Sequence, residues 1–95
     1  MAQIKGKAFM LNQSPFSLGR GKENSLVILD PKMSRKHAQI IQNPANNTFM
    51  LIDLNSDNGT WVNGTRVVSS APAVLQNGSV IQLGTDTQII FQVLA

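Results

Sequence analysis

Apolar residues in this chain come in short runs, many of them alternating with polar ones, and Gly, Pro, Asn and Asp separate the runs. No segment sustains the i, i+3, i+4, i+7 spacing of an amphipathic helix. The pattern is that of an all-β sandwich or barrel. It predicts strands over residues 4–11, 16–18, 26–29, 37–42, 49–53, 60–62, 67–68, 80–83 and 88–93, with a short pairing at 73–75. Asn63-Gly64 and Asn77-Gly78 can supply the positive φ angles of tight hairpin turns. Pro44-Ala45-Asn46-Asn47 reads as a longer hairpin loop. Sheets built from these strands would bury one face of each against the other. The candidate core is Phe9, Phe16, Leu18, Ile28, Ile40, Ile52, Val62, Ile81, Leu83 and Phe91.

Ninety-five residues suffice for one domain with one core, so residues 1–95 are expected to form a single unit without linker, repeat or low-complexity segment. The hydrophobic fraction of 42% is that of a folded globular chain. No apolar run approaches the roughly 20 residues of a spanning helix, and membrane association is not expected. The opening Met1-Ala2-Gln3-Ile4-Lys5-Gly6-Lys7 has no apolar stretch of about 7–15 residues behind it, so no signal peptide is evident. The chain has no cysteine and one histidine, which excludes disulfides, thiolate metal sites and histidine clusters. A cytoplasmic setting is expected, with no metal and no cofactor. In that setting the Asn-x-Ser/Thr triplets, such as Asn58-Gly59-Thr60, are turn residues and not glycosylation sites.

The net charge of +3 is mild but unevenly spread: Arg20, Lys22, Lys32, Arg35 and Lys36 fall within one short stretch. The richest part of it is Ser34-Arg35-Lys36-His37, which follows the turn signal Asp30-Pro31-Lys32 and runs into the apolar segment Ala38-Gln39-Ile40-Ile41. A hydroxyl, two cations and an imidazole at the mouth of a strand sit where binding residues concentrate. The combination suits an anion, since guanidinium and ammonium bring charge and the serine a directed hydrogen bond.

Three loops then line up in order: Gly19-Arg20; Ser34-Arg35-Lys36-His37; and Ser56-Asp57-Asn58-Gly59-Thr60, which leads into Trp61-Val62-Asn63-Gly64. This series resembles the forkhead-associated (FHA) domain, a reader of phosphothreonine peptides, with the motif core spanning 19–84. Asn24 and the late Leu75, Asn77-Gly78, Ile81 and Leu83-Gly84 also match that layout. The resemblance implies a two-sheet β-sandwich of roughly eleven short strands that binds peptide with loops at one end. It implies that Arg20 and Ser34 contact the phosphate, with Arg35 beside them, and that Asn58 hydrogen-bonds the peptide main chain. Gly19, His37, Gly59, Asn63 and Gly64 would support the loops. Lys32 would reach the side chain three places after the phosphothreonine. Asp57 departs from the family pattern and would favour a basic residue near the phosphate.

The chemistry is consistent with that ligand. A phosphothreonine carries about −1.5 to −2 charges and three acceptor oxygens. It calls for a planar cation and a small hydroxyl donor, and Arg20 and Ser34 offer both. The expected partner is therefore a phosphothreonine-containing protein downstream of a Ser/Thr kinase, bound by a monomeric, non-enzymatic module. Two other classes of function share these features. One is a phosphorylation-independent interaction module. The other is a small β-domain that binds single-stranded nucleic acid, which the lack of tyrosine and the strand-interior placing of Trp61 and the four Phe disfavour. A hydrolase built on Ser34 and His37 lacks a nucleophile elbow and an evident third member.

Overall fold

The computed structural model describes residues 2–4, 7–9, 15–43, 45, 48–85 and 87–92, the first two segments by their backbone alone. Among these residues all regular structure is strand: β1 (Ala2–Ile4), β2 (Lys7–Phe9), β3 (Phe16–Gly19), β4 (Leu26–Val27), β5 (Ala38–Asn43), β6 (Thr48–Asp53), β7 (Thr60–Val62), β8 (Thr65–Val67), β9 (Ala73–Leu75), β10 (Val80–Leu83) and β11 (Thr87–Phe91). They form the expected two-sheet sandwich. One sheet has six strands in the order β2-β1-β11-β10-β7-β8, the other five in the order β4-β3-β5-β6-β9.

Alternation builds the core. Phe16 and Leu18 of β3, Ala38 and Ile40 of β5, Leu51 of β6 and Leu75 of β9 point inward from the five-stranded sheet. Val62, Val67, Ile81, Leu83, Ile89 and Phe91 answer from the six-stranded one. Phe49 packs its ring against Phe91 at 5.3 Å between centroids, a tilted contact across the two layers.

Four sequence expectations shift. The strand expected at 4–11 is two antiparallel strands, with Ile4 opposite Lys7. Met10, Leu11 and the side chain of Phe9 lie outside the described residues. β8 begins at Thr65, before the expected 67, because Asn63 (φ 50°) and Gly64 (φ 84°) form a two-residue turn that returns the chain at once. Pairing at 26–29 stops at Val27, and Leu29 is exposed. Finally, Ile52 is not a core residue. The run Phe49-Met50-Leu51-Ile52 is apolar on both faces, so its parity is ambiguous; burial of Asp53 on the inner face puts Leu51 inside and turns Ile52 outward.

One connection shapes the end of the sandwich where the polar loops lie. β3 and β4 are parallel, with Leu18 opposite Leu26 and Gly19 opposite Val27. Parallel neighbours ordinarily need a long crossover, yet only residues 20–25 separate these two. The short segment must loop out and double back. Ser17 and Ser25 clamp its base, each hydroxyl accepting the other's backbone N–H, at 3.1 and 2.9 Å. The extruded loop carries Arg20 and Lys22.

The parity assignment is testable by denaturant titration. Leu51→Ala should cost about 2–5 kcal/mol, whereas Ile52→Ala should stay below about 1.5 kcal/mol. Equal losses would contradict the register described for β6.

Candidate functional site

The loops at 20–25, 30–37 and 54–59 meet at one end of the sandwich, and Ser34 lies at their centre. Its carbonyl accepts the Arg20 N–H at 3.0 Å, and its hydroxyl accepts the Asp57 N–H at 2.9 Å. The hydroxyl hydrogen is left to donate to a ligand, and the bond from Asp57 holds its oxygen in place. Next to it, the Arg35 carbonyl accepts the Gly21 N–H at 3.0 Å and the Asn24 side-chain amide at 2.7 Å. Asn24 also donates to the Gly21 carbonyl at 2.8 Å, so one buried amide ties the first loop to the second.

Gly19 is required by closeness. A Cβ there would stand 2.3 Å from the Arg35 carbonyl oxygen and 2.9 Å from the Asn24 amide nitrogen. Any side chain would pry the two loops apart.

His37 is fully buried and works as a strut. Its Nδ1 accepts the Ser34 N–H at 3.2 Å, which assigns the proton to Nε2; Nε2–H then donates to the Gly59 carbonyl at 2.8 Å. The same Gly59 carbonyl accepts the Gly84 N–H at 2.9 Å. Gly59 itself has φ of +90°, and a Cβ would meet the Trp61 ring at 2.7 Å. Neither ring nitrogen engages the Ser34 hydroxyl, so the pair is no nucleophile–base dyad.

Asp53 organises the third loop. It is buried, accepts the Ser56 and Thr60 hydroxyls at 2.5 and 2.6 Å through Oδ1, and takes the Ser56 N–H through Oδ2 at 3.2 Å. The Ser56 oxygen in turn accepts the Gly59 N–H at 3.1 Å. Burial pushes the Asp53 carboxyl up, but these hydrogen bonds outweigh it and hold the group below its ordinary range. Asn58 closes the arrangement by donating to the Lys32 carbonyl at 2.7 Å, leaving its second amide hydrogen and its oxygen for a ligand.

Under the second loop, Met33 plugs into the core while Lys32 stays exposed. Asp30 sets this turn by accepting the Lys32 N–H at 2.9 Å, and its other oxygen accepts the Thr87 hydroxyl of β11 at 2.9 Å.

Of the residues singled out from the sequence, Gly19, Arg20, Lys32, Ser34, Arg35, His37, Asp57, Asn58 and Gly59 are thus brought together. Asn63 and Gly64 are not. Their turn lies at the end of β7 away from Gly59, where Asn63 receives the Val80 N–H at 2.8 Å through its side chain. Asp53 and Met33 were not singled out from the sequence, and Ser56 was noted only as a motif residue. The spacing of Asp53, Ser56 and Thr60 was the available signal, since an acid placed shortly before hydroxyl residues can gather a loop around itself. Among the described residues no group of three or more His, Cys, Asp or Glu could hold a metal ion, and no helix is long and apolar enough to cross a membrane.

A rigid sandwich that presents hydroxyl, amide and guanidinium groups on converging loops belongs to the modular peptide-recognition class. The chain matches the FHA domain family over residues 16–84, and it belongs to that family. It is 39% identical over 79 residues to the glycogen accumulation regulator GarA of Mycobacterium tuberculosis, covering 83% of this chain and 46% of GarA. It is 38% identical over 96 residues to protein sll1895 of Synechocystis, covering 93% of this chain and 13% of that protein. The chain therefore spans less than half the length of these relatives. Among solved structures, one from a study of phosphothreonine-dependent FHA domain interactions superposes with a TM-score of 0.86 at 31% identity, covering 99% of this chain and 95% of that one.

Two measurements probe the struts. Because the Asp53 carboxyl titrates lower when folded than its ordinary 3.8, its contribution is complete above that pH and is lost as pH falls through the folded value. Asp53→Asn should lower stability at neutral pH and flatten its decline in acid; an unchanged acid limb would refute the network. His37→Ala, which leaves a cavity and takes its acceptor from the Ser34 N–H, should cost about 2–4 kcal/mol in denaturant titration. A loss no larger than that of an exposed substitution would rule out the strut.

Proposed function

We propose that this chain is a phosphothreonine-dependent binding module that recruits a protein phosphorylated by a Ser/Thr kinase, with Arg20, Ser34 and Arg35 taking the phosphate and Asn58 the peptide main chain. The observation that carries the reading is the state of Ser34. Its hydroxyl is oriented by the Asp57 N–H, while its main chain is fixed by Arg20 and His37. A donor held in that way beside an exposed guanidinium loses little freedom when an anion arrives. Arg20 and Arg35 both line an open cavity of about 440 Å³.

Asn58 supplies register, because a neutral amide can meet a peptide N–H and C=O together. Lys32, exposed beside it, would favour an acidic or small polar side chain three residues after the phosphothreonine. Asp57 would favour a basic residue nearer the phosphate. The FHA relatives with phosphothreonine-dependent interactions support the same reading.

The nucleic-acid alternative has less support. Among the described side chains, Phe16 and Phe91 are buried and Phe49 packs on Phe91. Trp61 lies on the outer face of its sheet, with the Arg66 guanidinium 5.1 Å from its ring centre. Among the described residues, no aromatic ring lines the cavity bordered by Arg20, Lys22 and Arg35. A phosphorylation-independent partner is separated from the favoured reading by experiment.

By calorimetry, a phosphothreonine peptide should bind and its unphosphorylated twin should not. Arg20→Ala should weaken binding by about 10–150-fold, the loss of one charge-assisted contact, with the thermal melt unchanged. Equal affinity of wild type and variant would sink the phosphate assignment. Equal affinity for the two peptides would favour the phosphorylation-independent reading.

A further inference from the structure

The open cavity beside the proposed phosphate position is lined by Arg20, Gly21, Lys22 and Arg35, three of them cationic residues. A phosphate group fills only a fraction of its 440 Å³. One carboxylate already lies against its wall. The Glu23 oxygens cover Gly21, where a Cβ would stand 2.5 Å from Oε1, and Oε1 accepts the Arg35 Nε–H at 3.2 Å. Both partners are exposed, so the pair is screened and readily exchanged.

We propose that Lys22 and Arg35 form a second anion subsite, which takes a carboxylate or a further phosphate on the residues just before the phosphothreonine, and that Glu23 occupies it until a ligand arrives. The inference rests on the phosphothreonine reading and extends it. Direction follows from the layout around Ser34: its hydroxyl meets the Asp57–Asn58 loop on one flank, and its carbonyl meets the Arg20–Gly21 loop on the other. If Asn58 and Lys32 hold the residues after the phosphothreonine, Lys22 and Arg35 border those before it. The charge balance agrees. One phosphate of about −2 leaves a surplus cation once Glu23 is displaced. Hydrogen bonding from its own backbone, then the hydrogen bond and charge of Arg35 and the charge of Lys36, outweigh desolvation and hold the Glu23 carboxyl below its ordinary range, so it serves as an ionised stand-in.

The test compares phosphothreonine peptides that differ only in the two preceding residues: alanines, glutamates, or an alanine and a second phosphothreonine. At low salt the glutamate peptide should bind about two- to fivefold tighter than the alanine peptide, and the doubly phosphorylated one about five- to thirtyfold tighter. The advantage should shrink at high salt. Lys22→Gln should narrow the gap between acidic and neutral peptides, whereas Glu23→Gln should tighten the acidic ones. Thermal melts confirm that both exposed variants fold. Equal affinities for the three peptides, or an undiminished gap in Lys22→Gln, would overturn the subsite and leave the phosphothreonine reading standing. Unchanged or weaker binding by Glu23→Gln would overturn the competitor role. Failure of all three peptides to bind would overturn both readings.

Discussion

A single buried imidazole holds the binding end of this domain in register. His37 accepts from Ser34 in the second loop and donates to Gly59 in the third, while its own N–H reaches the Leu18 carbonyl of β3 and its carbonyl takes the Leu54 N–H. Without the ring the Ser34 N–H would lose its acceptor, a loss worth about 1–3 kcal/mol for a donor kept from water, and the Gly59 carbonyl would keep only the Gly84 N–H. With the ring in place, the position of Ser34 is specified relative to both sheets. Substitution of the ring removes a buried link between the second loop and the third.

Around that strut the loops are stiffened by close approach and by polar networks more than by apolar packing. Gly19 lets the Arg35 carbonyl rest on its backbone, Asn24 bridges the same carbonyl to Gly21, and Asp53 gathers Ser56 and Thr60 beneath Gly59. Met33 is the exception, an apolar anchor that pins the second loop into the core. The result is a recognition surface whose polar groups are oriented by the scaffold, with exposed cations at its edge. Such preorganisation lowers the entropy that binding must otherwise overcome. The exposed cations remain adaptable, which suits selection among related peptides more than a single fixed ligand.

The sandwich was legible because strand alternation and Asn-Gly turns are local signals. The candidate site residues were legible because Gly19-Arg20, Ser34 to His37 and Asn58-Gly59 recur in a family order. Ile52 shows where local reading fails. In a strand apolar on both faces, parity is set by a polar residue, Asp53, whose inward turn depends on hydroxyls several residues away. Glu23, and the bridging role of Asn24, show a second kind of failure. Their roles depend on the carbonyl and guanidinium of Arg35, more than ten positions along the chain, and nothing in their immediate neighbours announces that contact. Met33 was obscured by its setting, a lone apolar residue in a polar turn that reads as loop until the core beneath it is seen.

The central claim is that one end of the sandwich, built around Ser34, reads phosphothreonine. The most direct test is a nuclear magnetic resonance titration of the isotopically labelled domain with a phosphothreonine peptide, repeated with the unphosphorylated and phosphoserine forms. The account predicts shifts confined to the backbone amides of residues 20–22, 34–36 and 57–59. They should be largest for Ser34 and Asp57 and absent with the unphosphorylated form. Shifts centred instead on the outer face of either sheet, or a perturbation pattern identical with and without the phosphate, would contradict it.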